Sequence, residues 1–217
     1  MRRLIFAVSA IVVVAGFFLA ASWFKGRRAA ELGFMAQTYA ATFVRPHSPA
    51  LGAADARVFI VEFTDPACET CRDFYPFVKQ LMAAHPDQVR LAMRYTPFHE
   101  GSDHAVKGLE AARRQGKYWE TLEALYAAQE TWVIHHRVEP DRMWDALSGV
   151  GLDMERVRQD MNAPEIAALV AQDMADAETL KVTKTPEFFV NGRPMPSFGY
   201  EQLQTLVEQA VANNYPN

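Results

Sequence analysis

Two cysteines, Cys68 and Cys71, stand in the segment FTDPACETCRDFYP with two residues between them, and the 217-residue chain has no other cysteine. Three kinds of chemistry fit such a pair: a redox-active dithiol, half of a metal site, or a static disulfide. A bridge between Cys68 and Cys71 would close a very small ring, and loop entropy gives so short a ring little stabilisation. The spacing therefore favours a pair that is present for its reactivity.

The residues around the pair predict a strand that leads into a helix. The run RVFIVEF at 57–63 is β-branched and aromatic with a single acid, which is typical of a strand covered on both faces. The residues after it continue at helical spacing, so the cysteines lie at a helix amino end. Unpaired N–H groups and the helix dipole favour a thiolate there. We expect Cys68 to be the exposed, attacking thiol and Cys71 to be the shielded partner one turn deeper.

The rest of the chain predicts how this unit is completed. VRLAMRYTPF at 89–98 is a second strand, and the order β-α-β implies a parallel pair. Helical spacing then dominates from about 103 to 181. TPEFFVNGRPM predicts a strand, an Asn-Gly hairpin and another strand, and a last helix covers roughly 200–213. The predicted class is α/β, with a helical insertion between a β-α-β half and a β-β-α half.

The amino end differs in composition from the remainder. Residues 4–24 form an uncharged run of 21 residues, which is long enough for a helix through a bilayer. We favour an uncleaved transmembrane anchor, with a cleaved export signal as the alternative, because LAAS offers small residues for cleavage. Both alternatives place the following residues outside the cytoplasm. We interpret 25–55 as a linker and 56–217 as the folded domain.

The charge distribution argues against nucleic-acid binding. All five charged residues of 1–28 are basic, whereas residues 29–217 carry 17 basic and 26 acidic side chains. The folded part therefore lacks the basic surface that nucleic acids require.

Three segments identify a family resemblance: SPALGAADARVFIVEFTDPACETC, QGKYWETLEALY and TPEFFVNG. They resemble the DsbA-like thiol–disulfide oxidoreductases of the thioredoxin superfamily, in the branch with membrane-anchored and periplasmic bacterial members. The resemblance extends from near Ser48 to the carboxyl end. It implies a thioredoxin-like fold and disulfide exchange with exported proteins on the extracytoplasmic face of the inner membrane. It also implies a redox-active Cys68–Cys71 disulfide without another cofactor, and a membrane protein that recycles the pair.

The same resemblance assigns three further site residues. Thr185 and Pro186 match the cis-proline loop, which faces the cysteines. The backbone of Thr185 would pair with an extended substrate, and Pro186 would pack beside the sulfurs. Glu62, six residues before Cys68, matches a buried acid that has a raised pKa and shuttles a proton to or from Cys71. The alternative for Glu62 is a functionless acid that faces an edge of the sheet.

The residues between the cysteines depart from the family pattern. Relatives often have proline after the first cysteine, and this chain has Glu69 and Thr70. A carboxylate at Glu69 opposes the helix dipole and should disfavour the Cys68 thiolate, which makes a disulfide less oxidising. This predicts a mild oxidant or a reductase of selected targets, with the direction of electron flow open.

Two alternatives from other classes remain. One is a zinc- or copper-binding module that combines the cysteine pair with histidines or methionines; His99, His104, His135 and His136 are available. Structural zinc requires four ligands, usually from two such pairs, and no second pair is present in the sequence. The other is an anchored interaction domain in which the pair forms a static bridge.

Overall fold

The computed structural model describes residues 14–20, 23 and 40–216. Its strands are β1 (Ala50–Leu51), β2 (Val58–Thr64), β3 (Val89–Tyr95), β4 (Val133–Ile134), β5 (Arg137–Val138), β6 (Glu187–Val190) and β7 (Arg193–Pro194). From residue 40 onward its helices are α1 (Ala40–Phe43), α2 (Glu69–Ala84), α3 (Ser102–Arg114), α4 (Tyr118–Ala127), α5 (Gln129–Trp132), α6 (Pro140–Ala146), α7 (Met154–Asp160), α8 (Pro164–Thr179) and α9 (Tyr200–Asn214).

A five-stranded sheet with the order β1-β3-β2-β6-β7 forms the centre of the fold. β2 pairs in parallel with β3 and antiparallel with β6. Helices α3 to α8 lie between β3 and β6 in the sequence. This arrangement confirms the predicted α/β class, with β-α-β and β-β-α halves separated by a mostly helical insertion.

The two faces of the sheet pack against different helices because side chains alternate along a strand. One face contributes Val58 and Ile60 to the main core, which it shares with apolar residues of α2, α3, α4 and α9. The opposite face contributes Val61 and Phe63 to a smaller core around Phe43 and the end of α8. β2 is therefore covered on both faces, as its apolar sequence predicted.

Two local features differ from the sequence prediction. The second strand, predicted to reach residue 98, ends at Tyr95, because Pro97 has no N–H for a strand ladder. The insertion also contains a short hairpin of β4 and β5, whose turn residues His135 and His136 have φ of 50° and 62°. Positive φ is uncommon for residues other than glycine, so a His-His pair gives little sequence signal for such a turn.

The predicted anchor at 4–24 lies largely outside the described residues. Residues 14–20 and 23 within it are helical. In the described ranges, no helix is both long enough and apolar enough to cross a bilayer. Residues 25–39 of the predicted linker also lie outside the description, whereas β1 in its last part joins the sheet beside β3.

A buried charge cluster fastens the segment before β1 to the domain. Arg94 on β3 is fully buried and donates to Asp173 and Asp176 of α8; its Nε lies 2.8 Å from Asp173 Oδ1. Arg45 donates to Asp176 through two nitrogens at 2.7 and 2.8 Å. His47 Nε2 lies 2.7 Å from Asp173 Oδ1. The cluster thus joins β3, α8 and the entering chain.

Replacing Arg94 is expected to destabilise the fold strongly. Arg94→Met leaves the two α8 carboxylates without their shared buried partner, and breaking a buried ion pair costs about 3–5 kcal/mol of unfolding free energy. Urea denaturation of the purified protein measures this change. The control is Asp103→Asn, which removes an exposed pair with Lys107 and should cost less than about 1 kcal/mol. Equal stability of the two variants would contradict the structural role of Arg94.

Candidate active site

The cysteines lie where β2 passes into α2. Cys68 is the N-cap residue, with φ −80° and ψ 120°, and Cys71 lies in the first turn. The intervening loop turns at Asp65, whose carbonyl accepts the Cys68 N–H at 2.9 Å and whose side chain accepts the Ala67 N–H at 2.8 Å. Cys71 is fully buried and Cys68 is 6% exposed. The prediction that Cys68 is exposed is therefore wrong, although it is the outer of the two thiols.

The loop before β6 provides the cover over Cys68. The Thr185–Pro186 peptide bond is cis. β6 pairs with β2 so that Glu187 lies opposite Phe63, which brings Thr185 and Pro186 to the end of β2 where α2 begins. The Cys68 thiol donates to the Thr185 carbonyl over 3.4 Å. The structure thus brings Thr185 into contact with Cys68 across 117 positions of sequence.

The two thiols have opposite electrostatic environments. A hydrogen bond from the Cys71 thiol, assisted by the Thr185 side chain and the backbone N–H groups of Cys71 and Thr70, lowers the pKa of Cys68 to about 6. Burial, followed by the interactions with Cys68 and Glu62, raises the pKa of Cys71 well above its ordinary value. Near neutral pH the outer thiol is therefore ionised and the inner thiol keeps its proton.

Glu62 lies in the middle of β2 and is fully buried. Its strand neighbours are Met93 on β3 and Phe188 on β6, so the alternative of an acid at the sheet edge is wrong. Burial raises the pKa of Glu62 to about 8, a rise that the adjacent Thr64 hydroxyl partly offsets. Neither carboxylate oxygen forms a hydrogen bond of normal geometry with a described residue. An acid in this state is available to exchange a proton with a neighbouring thiol.

The residues between the cysteines contribute unequally. Thr70 assists the Cys68 thiolate through its backbone N–H. The Glu69 side chain is 56% exposed, and its carboxylate lies 4.0 Å from His136 Nδ1. Glu69 is not one of the principal groups that set the Cys68 pKa, because its charge is directed into solvent, where it is screened.

Two residues, Gln129 and His99, form hydrogen bonds with the active-site loop, a role that the sequence did not predict for either of them. Gln129, at the start of α5, donates its amide to the carbonyls of Pro66 and Cys68 at 2.9 and 3.1 Å. His99 donates its backbone N–H to the buried Asp65 carboxylate at 2.8 Å, and its Nδ1 lies 2.7 Å from the same oxygen. The sequence indicates a turn at Asp65, but it contains no signal for contacts that span 34 and 61 positions.

The histidines near the site do not form a ligand set with the cysteines. The rings of His99 and His136 lie 6.1 Å apart. Among the described residues, no group of three or more His, Cys, Asp and Glu side chains is arranged to hold a metal ion.

Changing Cys71 is expected to shift the Cys68 titration. In the reduced wild-type protein, alkylation of Cys68 should accelerate as pH rises through about 6 and then level off, because the thiolate is the reactive form. Cys71→Ala removes the hydrogen-bond donor and should move the Cys68 pKa towards the ordinary value of about 8.5. Cys71→Ser retains a hydroxyl donor and should cause a smaller rise. Thiolate absorbance against pH checks these values; a wild-type pKa near 8.5 would contradict the assignment.

Replacing Glu69 is expected to have only a small effect. Glu69→Gln should lower the Cys68 pKa by about 0.1–0.7 unit, because interactions between exposed charges amount to about 0.2–1 kcal/mol and one pKa unit corresponds to 1.36 kcal/mol. The same titration measures the shift, with Glu208→Gln on α9 as a distant control. A fall larger than one unit would show that Glu69, rather than Cys71, dominates the Cys68 environment.

Comparison with known proteins connects this geometry to a family. A model of the family described as Thioredoxin matches residues 45–209. A thioredoxin-like oxidoreductase from Silicibacter pomeroyi is 37% identical, with 78% of this chain and 95% of that chain covered and a TM-score of 0.69. The thiol-disulfide exchange protein alpha-DsbA2 from Wolbachia pipientis has the same fold at 19% identity, with 85% and 97% covered and a TM-score of 0.69.

A second relative is much longer than this chain, which matches only a small part of it. A Na(+)/H(+) antiporter NhaA from Herminiimonas arsenicoxydans is 31% identical over 142 residues, which are 65% of this chain and 22% of that protein. The chain thus spans less than a quarter of that relative. The family match, in contrast, covers most of the chain and confirms the resemblance drawn from the cysteine and proline segments. The chain belongs to the thioredoxin family and is similar to a thioredoxin-like oxidoreductase within it.

Proposed function

We propose that this chain exchanges disulfides with cysteines of exported proteins, with Cys68 as the sulfur that meets the client and Cys71 as the resolving thiol. The observation that supports this most strongly is the inequality of the two thiols. The Cys68 pKa is lowered to about 6 at a helix amino end, and the Cys71 pKa is raised in a fully buried position. A static structural disulfide would not require the two cysteines to have pKa values shifted in opposite directions.

In the oxidising direction, a client thiolate attacks Cys68 Sγ of the Cys68–Cys71 disulfide. The new bond joins the client sulfur to Cys68, and Cys71 leaves with the bonding electron pair. A second client thiolate then attacks the client sulfur of this mixed disulfide and releases Cys68 as a thiolate. The client loses two electrons and gains a disulfide, and the enzyme ends as the dithiol. In the reducing direction, Cys68 attacks a client disulfide and Cys71 resolves the mixed disulfide.

Glu62 is the proposed proton donor and acceptor for Cys71. A departing Cys71 thiolate is unfavourable in its buried site and takes a proton from Glu62. The Glu62 pKa of about 8 leaves the carboxyl protonated at neutral pH, which suits this transfer. In the reverse direction the Glu62 carboxylate accepts the Cys71 proton before the disulfide closes.

Thr185 and Pro186 are the proposed client-binding residues. They directly precede β6, and the Thr185 carbonyl oxygen lies 3.4 Å from Cys68 Sγ. An extended client segment that pairs with the Thr185 backbone would place its sulfur beside Cys68. Strand addition of this kind uses backbone hydrogen bonds, so it accepts many client sequences.

We infer the oxidising direction from the Cys68 environment. Groups that stabilise the Cys68 thiolate stabilise the reduced enzyme, and that makes its disulfide a stronger oxidant. The exposed Glu69 carboxylate moderates this effect only slightly. The reductase direction is the second candidate, supported by the reactivity of the same thiolate towards client disulfides.

The proposed location is the extracytoplasmic face of a bacterial inner membrane, in the periplasm. Residues 4–24 would act as a signal-anchor, or would release the domain if they are cleaved. The support is their uncharged run of 21 residues and the basic residues on both sides. A membrane protein that reoxidises or reduces the cysteine pair completes the proposed cycle.

Replacing each active-site cysteine is expected to block a different step of the reaction. Cys68→Ser should abolish oxidation of a dithiol peptide by the oxidised protein, because no attackable disulfide forms. Cys71→Ser should accumulate a mixed disulfide with a client disulfide, because the resolving thiol is absent. Peptide oxidation and insulin reduction, with mass spectrometry of trapped adducts, measure both results.

Two outcomes would support other functions. Tight zinc or copper binding by the reduced protein that is lost in Cys71→Ser, without exchange activity, would favour a metal module. A redox potential far below about −300 mV would favour a static bridge in an interaction domain.

A further inference from the structure

A small hollow lies beside Cys68, on the side of the helical insertion. It has a volume of about 110 Å³ and is lined by Glu69 of α2, Gln129 and Glu130 of α5, and Val133 of β4. Glu69 directly follows Cys68, and the Gln129 amide nitrogen lies 3.1 Å from the Cys68 carbonyl oxygen. A group held in this hollow is therefore close to a client segment that reacts at Cys68.

The Gln129 side chain provides a hydrogen-bond acceptor that is not used within the domain. Gln129 is 1% exposed, and its amide nitrogen donates to the carbonyls of Pro66 and Cys68. These two acceptors fix the orientation of the amide, because an amide oxygen in the same place could not donate to them. The amide oxygen, Oε1, is buried and forms no hydrogen bond with a described residue. A buried acceptor without a partner is uncommon, and a donor that reaches it stabilises it.

Two exposed carboxylates, those of Glu69 and Glu130, also line the hollow. Glu130 lies 3.3 Å from Arg72, whose guanidinium also contacts Asp73 at 3.1 Å. Glu69 lies 4.0 Å from the exposed His136. With neutral histidine, these three carboxylates and one guanidinium give the surface around the hollow a net charge of −2. The hollow therefore favours a cation.

A basic side chain matches this combination of groups. An ammonium or guanidinium group donates hydrogen bonds and accepts none, and the methylene stem behind it packs on apolar surface such as Val133. A calcium ion matches less well, because it takes about six to eight oxygen ligands, more than two carboxylates and one amide supply. The amino end of α2 opposes a cation with about half a positive charge, which is smaller than the full charges of Glu69 and Glu130 together.

We propose that this hollow is a specificity subsite for a lysine or arginine side chain of the client, close to the client cysteine that reacts with Cys68. The basic group donates to Gln129 Oε1 and to the carboxylates of Glu69 and Glu130. Backbone pairing at Thr185 accepts many sequences, and the hollow adds a preference among them. The inference rests on the proposed function and deepens it.

The test measures how fast dithiol peptides reduce the oxidised full-length protein in a single turnover. The peptides are identical except that lysine, norleucine or glutamate flanks both cysteines. Because a flanking charge also changes the reactivity of the peptide thiols, each rate is divided by the rate at which the same peptide reduces the neutral hydroxyethyl disulfide.

The lysine peptide is expected to react with the wild-type protein about tenfold faster than the norleucine peptide, after this correction. A tenfold preference corresponds to the lower end of the contribution of a hydrogen bond to a charged group. The glutamate peptide should be slower than the norleucine peptide. The lysine preference should shrink between about 0.1 and about 1 M salt, because the screening length falls from about 10 to about 3 Å.

The double variant Glu69→Gln/Glu130→Gln should reduce the lysine preference to about threefold or less. It leaves Gln129 in place, so the active-site loop keeps both hydrogen bonds from that amide. The matched control is Glu120→Gln/Glu208→Gln, which removes two exposed carboxylates from α4 and α9. This control should retain the whole preference.

Three results overturn the subsite while the proposed function stands. The first is equal corrected rates for the lysine and norleucine peptides with the wild-type protein. The second is a lysine preference as large in Glu69→Gln/Glu130→Gln as in wild type. The third is calcium binding, measured by calorimetry, that this double variant loses and that no lysine preference accompanies. If the wild-type protein reacts with none of the peptides, the proposed function itself is wrong and the subsite is overturned with it.

Discussion

The site depends on the pairing of β2 with neighbours on both sides. β3 in parallel and β6 in antiparallel register place Glu62 between two apolar strands, remove it from water and raise its pKa to about 8. The same β6 register brings Thr185 to the end of β2, against Cys68. A shift of one residue in either pairing would turn Glu62 to the opposite face of the sheet, because side chains alternate along a strand. The strand register therefore sets the relative positions of the acid, the thiols and the proline loop.

The predictable parts of the site depend on local sequence. The apolar run 57–63, the helix after Cys68 and the Asn-Gly turn each follow from residues close in sequence, and all three are present in the fold. The contacts that complete the site are long-range. Gln129 reaches the Pro66 and Cys68 carbonyls across 63 and 61 positions, and the Arg94 cluster joins segments up to 131 positions apart. Periodicity and turn signals contain no information on such pairings.

Burial is the quantity that the sequence around Cys68 does not supply. The sequence places the Glu69 charge next to Cys68 and therefore predicts an effect on the Cys68 pKa. In the fold, the Glu69 side chain is 56% exposed and directed towards His136. Cys68 looked exposed because it begins a helix, yet the loop at Thr185 covers it. In both cases the outcome was set by elements distant in sequence. Glu62 shows the opposite case, since the family resemblance already implied a buried acid at this position.

The shifted pKa values of Cys68 and Glu62 bound a pH range between about 6 and about 8. This range links the fold to the proposed direction of the reaction. The pKa of Glu62 is raised, so its protonated form contributes stability that is complete below its unfolded value and is lost as pH rises through about 8. The pKa of Cys68 is lowered, so its thiolate contributes stability to the reduced form above the unfolded value, and that stability is lost as pH falls through about 6. Between these limits the Glu62 carboxyl is protonated and the Cys68 thiolate is stabilised. Both conditions fit the proposed oxidising direction, and both arise from burial and hydrogen bonds around one strand.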